Sequence, residues 1–268
     1  MGENLQDHLQ IRMMYECTRP ITTNDELRSP WRKLRMGLQW LFTRSGPLAI
    51  GINQGGLFTK VIEQSKTPDI QYHFGTLSAD SAGGKVHPFS GFTMSVCQLR
   101  PESRGYVRIV SADPNQPPSM QPNYLSTELD RQTVIAGVRY TRKLAASGPL
   151  KDLIKREHLP GIEAQSDEQI LEFCRQYGAT IFHPSGTCKM GSDPLAVVDS
   201  RLRVHGLQGL RVVDCSIMPT LVSGNTNVPV VMIAEKASTM ILEDALKPSL
   251  ATVNVNPTKT SELCAHAS

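Results

Sequence analysis

The segment IFHPSGTCKMG, residues 181–191, decides how the rest of this sequence is interpreted. It places His183 on a turn, because a proline and a glycine follow it closely. Residues 209–219, GLRVVDCSIMP, predict a short buried strand that ends at Asp214. Residues 223–229, SGNTNVP, predict an amide-rich turn that begins a long apolar helix. This order predicts that a proton acceptor, a hydrogen-bond donor and a helix N-terminus lie in one place.

The remaining patterns predict an α+β fold. Alternation of polar and apolar residues favours strands with one polar face, as in an antiparallel sheet covered on one side. These strands are 69–77, 92–97 and 107–109, with shorter paired strands at 201–205 and 210–214. Apolar residues at helical spacing predict helices at 30–44, 127–146, 167–177 and 228–243. His73 falls on the less apolar face, where it either lines a pocket or is a hydrogen-bonded surface residue.

Composition excludes several classes of protein. The chain has 268 residues, a net charge of +3 and 20% charged residues, which is typical of a globular protein and gives no basic face for nucleic acid. Its six cysteines form no C-x-x-C pair, so we expect reduced thiols in the cytoplasm and no metal site. No apolar run is long enough to span a membrane, and no signal peptide is visible.

Together with GENLQDH at residues 2–8, these stretches resemble the C-terminal half of the glucose–methanol–choline (GMC) family of FAD-dependent oxidoreductases. The resemblance is closest to the choline dehydrogenase-like and related alcohol dehydrogenase members. It implies an antiparallel-sheet substrate domain flanked by helices and the C-terminal strand–helix piece of an α/β FAD-binding domain whose N-terminal half is absent. The implied divisions are 1–8 for the end of the flavin-domain segment, 9–199 for the substrate domain, 200–245 for the FAD-domain piece and 246–268 for a disordered tail.

The resemblance also implies site residues. His183 matches the catalytic base, and a neutral imidazole with a pKa of about 6.5 suits that task. Asn225 matches the residue opposite the base, where its amide can donate to the alcohol oxygen. FAD is the implied cofactor, contacted by Phe182, Asp214, Cys215, Asn225, Thr226, Asn227 and Val228.

The implied reaction is the oxidation of a primary alcohol to an aldehyde, as part of a larger oxidoreductase. His183 takes the hydroxyl proton, Asn225 assists, and a hydride passes to flavin N5. The implied partner is a small-molecule alcohol, and the electron acceptor stays open. One alternative is a truncated, cofactor-free chain that is inactive alone and acts at most as a binding partner. Another is a hydrolase using Ser185 or Cys188, although Ser185 lacks the G-x-S-x-G frame.

Overall fold

The structure is a computed structural model that describes residues 1–81 and 83–246. Its strands are β1 Glu3–Leu5, β2 Leu9–Cys17, β3 Asn53–Thr59, β4 Ile70–Gly75, β5 Gly91–Gln98, β6 Gly105–Arg108, β7 Ser119–Gln121, β8 Ile154–Leu159 and β9 Ala179–Thr180. Its α-helices are α1 Thr23–Arg28, α2 Pro30–Thr43, α3 Glu128–Ala145, α4 Gly148–Leu153, α5 Asp167–Tyr177 and α6 Asn227–Leu246. The fold therefore mixes helices with antiparallel sheets, as the α+β prediction requires.

The larger sheet is antiparallel and positions the candidate site. Its strand order is β3-β4-β5-β2-β8, and the short β9 pairs with the start of β2. Because side chains alternate along a strand, Ile11, Met13 and Tyr15 of β2 enter the hydrophobic core. Gln10 and Arg12 lie on the opposite face, which is polar. One face of the sheet therefore holds the fold together and the other is available for binding.

Helices α3 and α5 cover the apolar face of this sheet. Val138 of α3 and Ile170 of α5 are fully buried, and burial of such a side chain contributes about 1.5–3 kcal/mol. Helix α5 starts with a capping box between Ser166 and Gln169. At the start of α3 the Thr127 side chain accepts a hydrogen bond from the Asp130 backbone N–H. The Asp130 carboxylate does not return to the N-cap backbone but accepts from the backbone N–H groups of residues 102 and 103.

The predicted strands at 201–205 and 210–214 are wrong. Only isolated bridges form there, such as that between Arg203 and Arg211. The Arg211 guanidinium forms a salt bridge with Asp244 of α6. This region builds a second small core from Val198, Leu202, Val204, Ile217, Met218, Ile233 and Ala237. The predicted tail lies outside the described residues, apart from Leu246 at the end of α6.

Candidate active site

The loop that carries His183 is fixed by the segment before β2. Gln6 exchanges two backbone hydrogen bonds with Ser185, at 3.0 and 2.9 Å. The His183 backbone N–H donates to Asp7 Oδ1 at 3.0 Å. Gly186 has φ of +91°, and a Cβ there would lie 2.5 Å from the Asn4 carbonyl oxygen. The close approach of the two segments therefore requires glycine at this position.

His183 is hydrogen-bonded to a second histidine. Its Nδ1 lies 2.9 Å from His8 Nδ1, and His8 Nε2 lies 3.1 Å from the Leu99 carbonyl oxygen. A carbonyl only accepts, so His8 Nε2 must carry a proton. Neutral His8 then has a bare Nδ1, which must accept from Nδ1–H of His183. The tautomer so assigned leaves His183 Nε2 as an unprotonated base.

Burial keeps both imidazoles neutral at neutral pH. His8 is fully buried, and its pKa falls to about 4 because burial disfavours the charged form. The pKa of His183 is also lowered, chiefly by burial, while the Asp7 carboxylate opposes the change. At pH 7 His183 is therefore ready to accept a proton.

Asn225 is oriented by Gln71 of β4. Gln71 Nε2 donates to Asn225 Oδ1 at 3.0 Å, so the Asn225 oxygen faces the sheet. This assignment turns the Asn225 NH₂ away from Gln71. The Asn225 side chain therefore presents donors rather than acceptors.

His183 and Asn225 line one cavity of about 520 Å³. That volume is in the range of small-molecule sites. Its floor is the polar face of the sheet, with Gln10 and Arg12 from β2 and His73 from β4. His73 thus lines the pocket, and burial lowers its pKa while its Nδ1 is buried without a partner in the described structure. A neutral base and an amide donor at one cavity are an arrangement suited to proton transfer with a small molecule.

Of the expected cofactor residues, Phe182 and Asn225 line this cavity, and the other five are outside its lining. Phe182 lines the cavity with φ of +66° and is 76% exposed, and Val228 on the first turn of α6 is 75% exposed. Cys215 is half-buried beside Thr226, and burial raises the pKa of its thiol. Asp214 is exposed, and its side chain accepts from the backbone N–H of residue 216 at 2.7 Å.

These residues fit a flat aromatic cofactor. Phe182, which lines the cavity, and Val228, on the first turn of α6, present apolar surface to solvent. The first backbone hydrogen bond of α6 runs from Val230 N–H to Thr226, so Asn227 and Val228 precede the first helical donor. Unused N–H groups at a helix N-terminus favour electron-rich groups.

Several site residues were missed from sequence. His8, Asp7, Gln71 and Arg12 carry no local signal of their role, because each acts through a contact with a distant part of the chain. His8 and Asp7 lie within the GENLQDH segment, which was recognised only as a domain junction. The hydrolase alternative gains no support from Ser185, because its hydroxyl donates to the His183 carbonyl at 3.1 Å.

Within residues 1–81 and 83–246, no three histidine, cysteine, aspartate or glutamate side chains are grouped to hold a metal ion. None of the helices in the same residues is both long and apolar enough to cross a bilayer.

Comparisons with known proteins agree with this fold. The sequence profile of the family described as GMC oxidoreductase matches residues 101–234. The oxygen-dependent choline dehydrogenases of Escherichia coli (strain UTI89 / UPEC) and Cronobacter sakazakii (strain ATCC BAA-894) are each 44% identical, over 94% and 88% of this chain. The chain therefore belongs to the GMC oxidoreductase family. It spans only 45% and 42% of those two relatives, less than half of their length.

Solved structures give the same architecture. Pyridoxine 4-oxidase from Mesorbium loti is 27% identical with a TM-score of 0.74, and the match covers 91% of this chain and 44% of that one. A variant of formate oxidase from Aspergillus oryzae RIB40, studied for FAD modification, has a TM-score of 0.82 at 24% identity, covering 91% and 47%. At 24% identity, the similarity to formate oxidase concerns the fold alone.

The depressed pKa of His8 predicts a pH-dependent stability. The unfolded chain binds a proton at His8 below pH 6.5, whereas the folded chain binds one only below about 4. Stability is therefore complete above pH 6.5 and falls as the pH drops towards 4, by about 2–3 kcal/mol at pH 4.5. Urea unfolding at pH 7 and 4.5 should show this loss of stability. In His8→Asn the loss between the two pH values should be smaller by the contribution of His8. An equal pH dependence in the variant would contradict the assignment.

Proposed function

We propose that this chain supplies the substrate-binding half of an FAD-dependent oxidoreductase that oxidises a primary alcohol to an aldehyde. The observation that carries the proposal is the pair formed by a bare His183 Nε2 and the outward amide of Asn225 at one cavity. Family membership supports it, since the matched relatives include choline dehydrogenases and oxidases.

The chain's own residues bind and deprotonate the alcohol in this proposal. The hydroxyl donates to His183 Nε2, which takes its proton. The Asn225 NH₂ donates to the oxygen and stabilises the negative charge that develops there. His8 keeps the base in the required tautomer, and Gln71 keeps the amide in the required orientation. The cavity walls restrict water and hold the carbinol carbon in position.

FAD, when bound, supplies the hydride acceptor. We assign its contacts to Phe182 and Asn225, which line the cavity, to Thr226, Asn227 and Val228 around the start of α6, and to Asp214 and Cys215. We further propose residues 9–199 as the substrate domain and 1–8 with 200–245 as parts of the FAD-binding domain. The five cysteines that the structure describes are free thiols, which supports the proposed cytoplasmic location.

The experiment compares the chain alone with the assembled enzyme, meaning this chain together with FAD and a flavin-domain half like that of its relatives. We expect alcohol-dependent reduction of an acceptor dye by the assembled enzyme, with flavin absorbance in the purified protein. The chain alone should show neither. An assembled enzyme that contains flavin but oxidises no alcohol would contradict the proposal and favour a binding role.

Replacement of His8 tests its positioning role. His8→Leu removes the acceptor for His183 Nδ1–H, and we expect kcat to fall about 10- to 100-fold, by analogy with the partners that orient a metal-ligating histidine. His8→Asn offers an amide oxygen in nearly the same place and should recover most of that loss. Both variants lose the bond to Leu99, so their stabilities should be similar. Equal kcat in the two variants would show that His8 is merely structural.

A further inference from the structure

Arg12 is a cation on the floor of the active-site cavity with no role in the proton transfer described above. It lies on β2 beside Gln10, on the face opposite the core. The side chain is half-buried, and burial lowers the pKa of the guanidinium, although arginine remains charged in proteins. Taking a charge partly out of water is costly unless an opposite charge compensates it.

Neighbouring groups of the protein compensate the positive charge of Arg12 only in part. Its Nη2 donates to the Ala79 carbonyl at 2.7 Å, the one hydrogen bond found for this guanidinium in residues 1–81 and 83–246. The Asp80 carboxylate acts on Arg12 by its charge. However, Asp80 Oδ1 accepts from His87 Nε2 at 2.9 Å, and its side chain is 84% exposed. Other N–H groups of Arg12 therefore remain available to a ligand.

We propose that Arg12 binds the anionic end of the substrate, which is a primary alcohol carrying a carboxylate. This inference rests on the proposed function and specifies its substrate class. A planar guanidinium binds a carboxylate through two parallel hydrogen bonds. With Arg12 and the solvent-exposed Asp80 as the charged side chains that line the cavity, a monoanion is better matched than a dianion.

The position of Arg12 sets the length of the substrate. Arg12 is four residues beyond His8, about 13 Å along an extended strand. His8 contacts His183, and the Arg12 guanidinium is carried on a long stem. The hydroxyl and the carboxylate are therefore separated by several carbon atoms, and 4-hydroxybutanoate is a suitable probe.

The same cation disfavours choline, from which the curated relatives take their name. A quaternary ammonium is recognised by aromatic faces or by a carboxylate. On the floor of this cavity the ammonium would meet the positive charge of Arg12, whereas the carboxylate in the lining, Asp80, is 84% exposed and accepts a hydrogen bond from His87. We therefore expect choline to be a poorer substrate of the assembled enzyme than the hydroxy acid.

The test uses 4-hydroxybutanoate, the neutral 1,4-butanediol and choline as substrates of the assembled enzyme. We expect kcat/KM to be highest for 4-hydroxybutanoate. Arg12→Met should lower that value about 10- to 150-fold through KM, the range of one charge-assisted contact, and should lower kcat/KM for butanediol much less. Arg12→Lys keeps the positive charge but loses the planar guanidinium. Its kcat/KM for 4-hydroxybutanoate should lie between the values of the wild type and of Arg12→Met. Arg35→Met, which removes an exposed arginine of α2, is the matched control.

Calorimetry of the chain itself gives a readout that is independent of turnover. 4-Hydroxybutanoate should bind, and Arg12→Met should abolish the signal. Equal losses for the acid and the diol in Arg12→Met, or a preference for choline, would overturn the role of Arg12 while leaving alcohol oxidation intact. Binding that depends on Arg12, without turnover of any of the three alcohols, would support the anion site and contradict the proposed function.

Discussion

Replacing His183 by glutamine should lower kcat of the assembled enzyme by about 10²–10⁴-fold, the usual contribution of a general base. Glutamine keeps a polar side chain of similar size but cannot accept the proton at neutral pH. The wild-type rate should also fall at acidic pH with an apparent pKa below 6.5, because burial lowers the pKa of His183. His183→Gln should lack this acidic limb. Stopped-flow measurement of flavin reduction across pH 5–9 checks both results.

His205→Gln is the matched control for that experiment. His205 is exposed, and its Nε2 contacts the carbonyl of residue 191 rather than the cavity. The control should retain the wild-type rate and pH profile. A His183→Gln enzyme with full flavin content and less than about a tenfold loss would show that another group removes the proton.

Asn225→Leu should lower kcat by about 10²–10³-fold, the effect of removing one donor to a developing oxyanion. The loss should appear in kcat more than in KM, because the hydrogen bond strengthens as the oxygen becomes negative. Asn225→His offers a ring N–H at the same position and should retain more activity. Single-turnover flavin reduction by the assembled enzyme distinguishes these outcomes.

Asn115→Leu is the control for the loss of an asparagine side chain. Asn115 lies on an exposed turn, where its amide contacts Asp113. We expect it to have little effect on kcat. If Asn225→Leu raised KM without lowering kcat, Asn225 would contribute to substrate binding only. Unchanged kinetics would show that Asn225 has no role in the reaction.

The amphipathic elements could be predicted from sequence because their signals are local. Helix α5 spans Asp167–Tyr177 as predicted, between the N-cap Ser166 and Gly178, since capping and glycine termination depend on neighbouring residues. Strands β4 and β5 showed clear alternation. The central strand β2 did not, because Met14 places an apolar side chain on its polar face. Residues 53–59 were not predicted as a strand, but they form the edge strand β3, and Asn53 lines the cavity.

The site was predictable only where one motif held the residue. His183 and Asn225 were assigned from the family resemblance that their own segments carry, and the structure brings both to one cavity. Their partners His8 and Gln71 are 175 and 154 residues away along the chain. No local pattern records such pairings, so the tautomer of the base and the orientation of the amide could be derived only from the fold.

The most direct test of the account is the protonation state of the His183 ring in the folded chain at pH 7. Nitrogen-15 NMR of histidine-labelled protein, with His183→Gln used to assign the resonances, distinguishes a protonated ring nitrogen from a bare one. We predict a neutral imidazole with the proton on Nδ1 and a bare Nε2, and a shift towards a mixed population in His8→Leu. A proton on Nε2 in the wild-type protein would contradict the proposed base.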